Sequence, residues 1–141
     1  MCVTTVSVQR SRPWYAVVIA LVICTGLLWR SGWIPLPVFL TKYGGDALWA
    51  LVVFLGFGFV FRCRSTVRIA VIALGFAWSV EFLQLCHADW IEAIRTTRLG
   101  RLVLGTTFNA PDLLAYVVGI ALGALAERVS LSQKAESAEN E

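Results

Sequence analysis

Four stretches of the chain are apolar and long enough to form helices: Trp14–Trp29, Ala47–Phe61, Ile69–Cys86 and Leu113–Ala126. Extended to their polar boundaries they reach roughly 16–20 residues, or about 24–30 Å of helix, at the short end of what a bilayer core needs. Arg10 and Arg12 precede the first stretch. It ends Cys24-Thr25-Gly26-Leu27-Leu28-Trp29-Arg30 with no A-x-A-like cleavage site, so it reads as a retained signal anchor. The pattern predicts an all-α fold, a polytopic membrane bundle of four transmembrane helices with a short interfacial helix between helices three and four. Residues 1–12 are expected to form an N-terminal segment and 13–128 the bundle. Residues 129–141, polar and acidic without apolar periodicity, are expected to form a disordered tail.

The segments between the helices carry their own signals. Pro35 and Pro37 forbid a continuous helix in the first loop, which ends Tyr43-Gly44-Gly45-Asp46, a turn followed by a residue type favoured at helix N-caps. Asp89-Trp90-Ile91-Glu92 resembles a capping box and opens the predicted interfacial helix. Trp90, Ile91 and Ile94 are expected to face lipid there, with Arg95 and Arg98 reaching headgroups. Trp29, Trp33, Trp49 and Trp90 fall near one boundary, as an aromatic belt would. In the last helix Ala115, Gly119 and Gly123 recur every four residues, a small-residue ridge that admits a neighbouring helix and offers a face for oligomerisation.

Composition narrows the class. The 141 residues are 58% hydrophobic and 15% charged, where a soluble domain carries about 25% charged residues. That disfavours buried helices of a soluble protein. The net charge of +3 is scattered, with no basic stripe, so nucleic acid is not an expected partner. Cys2, Cys24, Cys63 and Cys86 form no CxxC pair, and neither a disulfide framework nor a metal site or cofactor is expected. An inward N-terminus places Arg10, Arg12, Arg62, Arg64, Arg68, Arg128 and Lys134 in the cytoplasm and Arg30, Lys42, Arg95, Arg98 and Arg101 outside. This bias predicts a protein of the cell (inner) membrane with both ends cytoplasmic.

The chemistry concentrates at the predicted outer face. Glu81 sits in an apolar helix, where an ionisable group must be paired, protonated or facing water, so it is a functional candidate by default. Gln84 shares its face one turn on. Asp46 and Asp112 open the second and fourth helices from the same side, where capping also accounts for them, with Pro111 in the first turn beside Asp112. Asp46, Glu81, Gln84, Arg95 and Asp112 form the expected polar pocket, with Glu81 accepting hydrogen bonds or pairing with Arg95. Arg30 and Arg98 are expected headgroup contacts. Glu92 reads as a capping partner, and nothing comparable is expected on the cytoplasmic side. The alternative for Glu81 and Gln84 is a structural pair gluing helices together.

These residues predict a non-enzymatic membrane protein binding a membrane lipid, an envelope precursor or a membrane protein partner. The alternatives are an intramembrane enzyme acting on an envelope lipid, with Glu81 or Asp112 as general base and an arginine on the phosphate, or a small oligomeric transporter.

The strings Glu81-x-x-Gln84 and Asp112-x-x-x-x-x-x-Gly119 resemble the pattern of VanZ-like bacterial membrane proteins. The chain is more closely similar to an uncharacterised family of four-helix membrane proteins, in Gly26–Arg30, Lys42–Ala50, Glu81–Leu85, Ala93–Gly100 and Leu102–Gly105. The resemblance implies the fold and membrane location. VanZ is associated with resistance to teicoplanin, an activity the resemblance does not extend to this chain, which has Tyr116-Val117 and Cys86-His87 where the pattern differs.

Overall fold

The computed structural model describes residues 10–33, 35–105 and 107–139. Among these residues six helices follow one another: α1 (Arg12–Arg30), α2 (Val38–Val60), α3 (Thr66–Leu83), α4 (Asp89–Arg95), α5 (Arg98–Leu104) and α6 (Ala110–Glu139). Four of them, α1, α2, α3 and α6 to Gln133, are long and apolar enough to cross a membrane. Among the described residues there is no strand. The chain therefore has the architecture of a multi-pass membrane protein.

Local chemistry sets the helix ends. Pro13 occupies the first turn of α1, where a missing N–H is harmless. Gly32, at φ 76°, turns the chain beyond α1 in a conformation that favours glycine. Ser65 caps α3 by accepting from Arg68 N, and Thr97 caps α5 by accepting from Gly100 N at 2.9 Å. Gly105, at φ 65°, ends α5.

The second helix corrects an expectation. It begins at Val38, directly after Pro37, and runs through Tyr43–Asp46, so Asp46 is not a cap but lies about two turns inside. Glycine in a helix interior costs about 1 kcal/mol relative to alanine. Here the glycines make room. A Cβ on Gly44 would lie 2.8 Å from Trp29 Nε1, and one on Gly45 would lie 2.5 Å from Arg30 Nε. The end of α1 packs into the notch they leave.

Helix α2 touches α1, α3 and α6, while α3 also packs on α6, and among the described helices α1 leans on α2 alone. The core joins Ala50 and Phe54 to Ile69, Ala73 and Ala77 on α3 and to Tyr116 and Ile120 on α6. The small residues on α3 let the backbones approach. The Gly119–Gly123 ridge does the same, but toward α2: a Cβ on Gly119 would collide with the Ala47 backbone and one on Gly123 with Leu51 and Phe54. That ridge is filled within the chain by α2. Away from the core, Val71, Phe76, Leu114 and Leu122 are exposed, as lipid-facing side chains are.

Two short helices, α4 and α5, stand where one was expected. Trp90 and Ile94 are exposed, but Ile91 is buried and turns inward. The capping box does not form: Ala88 is the N-cap of α4, and Glu92 pairs instead with Arg95 at 2.7 Å. The segment expected to be a disordered tail continues α6 as far as Glu139, with 140 and 141 outside the described residues. Its Gln, Lys, Ala and Glu residues are good helix formers, and a helix already nucleated adds residues cheaply. Residues 1–9 also lie outside the described ones.

A second correction concerns the face that carries the N-terminal end of α1. Arg10 and Glu127 form a buried ion pair there, with Arg10 Nε donating to Glu127 Oε1 at 2.7 Å. The Arg10 guanidinium also donates to the carbonyls of Arg62 (3.1 Å) and Arg64 (2.6 Å), and Thr66 Oγ1 donates to Glu127 Oε1 at 2.9 Å. One arginine thus ties the α2–α3 turn to α6 and satisfies carbonyls of that turn. Removing one member of a buried pair leaves an uncompensated charge. Arg10→Ala is expected to lower stability in detergent by about 3 kcal/mol or more, and Arg10→Met with Glu127→Leu to recover most of it. Thermal unfolding of the three proteins checks the ranking; a double variant no more stable than Arg10→Ala contradicts it.

Candidate functional site

At the opposite end of the bundle, α1 leans only on α2, and the α4–α5 segment crosses before α6 begins. Between α1 on one side and α5 and the start of α6 on the other lies a cleft of about 630 Å³, floored by α2. Its walls are apolar, from Val22, Ile23 and Leu27 of α1, Leu48 and Val52 of α2, and Leu102 and Val103 of α5. Arg30, Lys42, Asp46, Gln84, Arg101, Asp112 and Tyr116 supply its polar groups.

Polar contacts at this end pin the helices in turn. Arg30 Nη2 meets Asp46 Oδ1 at 2.6 Å and joins α1 to α2. Lys42 Nζ meets Asp112 Oδ1 at 3.2 Å and joins α2 to α6. Asn109 Nδ2 donates to the same oxygen at 2.5 Å, which holds Asp112 in the first turn of α6. Arg30 and Lys42 are nearly half exposed, so these ion pairs add little to stability and leave the cations within reach of a ligand.

Glu81 joins α3 to α6. It is fully buried, and three donors converge on its carboxylate: Tyr116 Oη at 2.7 Å and Gln84 Nε2 at 3.0 Å on Oε2, and the Asn109 backbone N–H at 2.8 Å on Oε1. The last belongs to the residue just before α6, so the positive end of that helix also faces the carboxylate. Glu81 does not line the cleft; Gln84 and Tyr116, which it holds, do.

Of the five residues expected to form a pocket, Asp46, Gln84 and Asp112 line one cleft, with Glu81 behind. Arg95 is elsewhere. Its buried guanidinium donates to Leu83 O at 2.9 Å and Cys86 O at 3.1 Å, carbonyls at and just beyond the end of α3. The expected Glu81–Arg95 pair is replaced by the three neutral donors, because Arg95 is taken up by α3's C-terminus and Glu92. Arg30 lines the cleft and Arg98 does not. Sequence reasoning missed Lys42, Arg101, Asn109 and Tyr116. Trp49, expected in an aromatic belt, instead packs on Tyr116 with ring centroids 5.4 Å apart. Cys24, Cys63 and Cys86 are free thiols, and among the described residues no group of three His, Cys, Asp or Glu side chains could hold a metal ion.

A family model described as "Protein of unknown function (DUF2809)" matches residues 35–120. This chain belongs to the DUF2809 family. The match runs from the start of α2 into α6, so the DUF2809 region holds Asp46, Glu81, Gln84 and Asp112, while α1, which closes one side of the cleft, precedes it. No solved structure matches the chain.

The hydrogen bonds at Glu81 predict an order of damage. Glu81→Leu strands three donors and is expected to destabilise by about 3 kcal/mol or more, whereas Tyr116→Phe removes one bond and about 1 kcal/mol. Urea or thermal unfolding in detergent checks the order. A Glu81→Leu protein no less stable than Tyr116→Phe would show that the carboxylate does not hold the helices.

Proposed function

We propose that this protein binds an amphiphile, a membrane lipid or a lipid-linked envelope precursor, in the lateral cleft between α1 and α5. The observation that carries the reading is the joining of two environments in one cavity. The walls of α1 and α5 present hydrocarbon, and the same space holds half-exposed cations and carboxylates. Sites of this kind take an apolar body and fix it through a few polar groups. The similarity to VanZ-like proteins, carried by Glu81-x-x-Gln84 and Asp112, agrees with a membrane-embedded role and supplies no ligand.

In the same reading the protein lies in the cell membrane, with the Arg62, Arg64 and Arg68 turn cytoplasmic, as the bias of basic residues favours. The cleft then opens on the extracytoplasmic side, and the α4–α5 segment lies along that interface with Trp90 and Ile94 toward lipid. Cys63 is exposed in the turn. With the other cysteines replaced by serine, Cys63 should resist a membrane-impermeant thiol reagent added to intact cells and react after lysis. Labelling from outside would reverse the orientation.

Gly26 lines the cleft, and a Cβ there would make only an ordinary 3.9 Å contact with Leu48. Gly26→Leu therefore fills the cavity while favouring the helix by about 0.8 kcal/mol. Native mass spectrometry of the protein released from nanodiscs is expected to show a lipid adduct in the wild type and its loss in Gly26→Leu, with thermal stability kept. An adduct equally abundant in both proteins would contradict the reading.

A further inference from the structure

Unpaired polar atoms on residues that line the cleft bear on the head of its occupant, an inference that rests on reading the cleft as an amphiphile site. Two acceptors on residues lining it have no donor among the described residues. Asp46 Oδ2 and Gln84 Oε1 are both buried, and neither is hydrogen-bonded. Gln84 is 6% exposed, and its amide orientation is determined: Nε2 donates to Glu81 Oε2, so a flip would set oxygen against carboxylate. Gly105 packs against this amide, where a Cβ would lie 2.5 Å from Nε2, so the loop after α5 holds it in place. Buried acceptors without donors are expensive, and a site that leaves them so discriminates sharply in favour of a ligand that supplies N–H or O–H groups.

The cations complete the description. Arg101 is exposed, lines the cleft and makes no ion pair among the described residues. Lys42 is 45% exposed with a single 3.2 Å carboxylate contact. A guanidinium and an ammonium beside an apolar slot suit phosphate oxygens.

We propose that the cleft selects a phosphodiester lipid whose head carries hydrogen-bond donors of its own. The phosphate meets Arg101 and Lys42. An ammonium or hydroxyls beyond it donate to Asp46 Oδ2 and Gln84 Oε1, and the acyl or prenyl chain lies between Leu27 and Leu102. Ethanolamine and glycerol heads meet this requirement; a choline head, with a phosphate but no N–H or O–H, does not.

The test uses the full chain in nanodiscs of equimolar phosphatidylethanolamine, phosphatidylglycerol and phosphatidylcholine, with the retained lipid identified by native mass spectrometry. Ethanolamine or glycerol lipid should be retained over choline lipid by about fivefold, and Arg101→Gln, which alters an exposed and unpaired side chain, should lower total retention by about as much. Choline lipid held as well as the other two overturns the donor requirement, and undiminished retention in Arg101→Gln overturns the phosphate contact. In either case an adduct still lost in Gly26→Leu leaves the amphiphile site standing. No adduct in the wild type removes both.

Discussion

A carboxylate set inside an apolar bundle has to be surrounded by donors, and the arrangement around Glu81 is how this protein meets that demand. Tyr116 supplies a hydroxyl from α6, Gln84 an amide from the end of α3, and Asn109 a backbone N–H from the segment leading into α6. Buried unpaired charge is so costly that these contacts fix the spacing of α3 and α6 and the course of the chain between them. The same contacts orient Gln84 and Tyr116 as part of the wall of the cleft.

The bundle is held by polar contacts at its two ends and by small-residue packing between them. At one end Arg10 and Glu127 tie α6 to the α2–α3 turn. At the other, Arg30–Asp46, Lys42–Asp112 and the Glu81 network join α1 to α2, α2 to α6 and α6 to α3. In lipid there is little hydrophobic drive between helices, so close backbone approach and hydrogen bonds carry the association. The two ends differ in what they enclose. The Arg10 cluster is closed around carbonyls and one carboxylate, whereas the Asp46–Asp112 end surrounds open space with cations at its edge.

Much of the fold was legible because hydrocarbon-length apolar runs leave few options, and Glu81 stood out as the one acid inside such a run. What escaped did so for physical reasons. Tyr43–Asp46 reads as a turn because a glycine pair weakens a helix, and only the packing of Trp29 and Arg30 against Gly44 and Gly45 explains why helix persists. Glu127 reads as the boundary of a span, and its partner Arg10 is 117 residues away, a separation at which no local pattern links two charges. A shared face of the membrane is all that links Arg95 to Glu81 in the sequence, whereas in the fold the Leu83 and Cys86 carbonyls claim its guanidinium. The ridge of Gly119 and Gly123 announced a helix contact correctly but not that α2 provides it.

Whether this end of the bundle holds an amphiphile beside a preformed polar wall is tested most directly by site-specific photo-crosslinking. A photoreactive residue would replace exposed Leu102 in the cleft or exposed Val71 on the outer surface of α3, in protein washed extensively in detergent. A phospholipid adduct is expected at position 102 and none at 71, since only the cleft retains its occupant through washing. Equal yields at both positions, or none at 102, would contradict it.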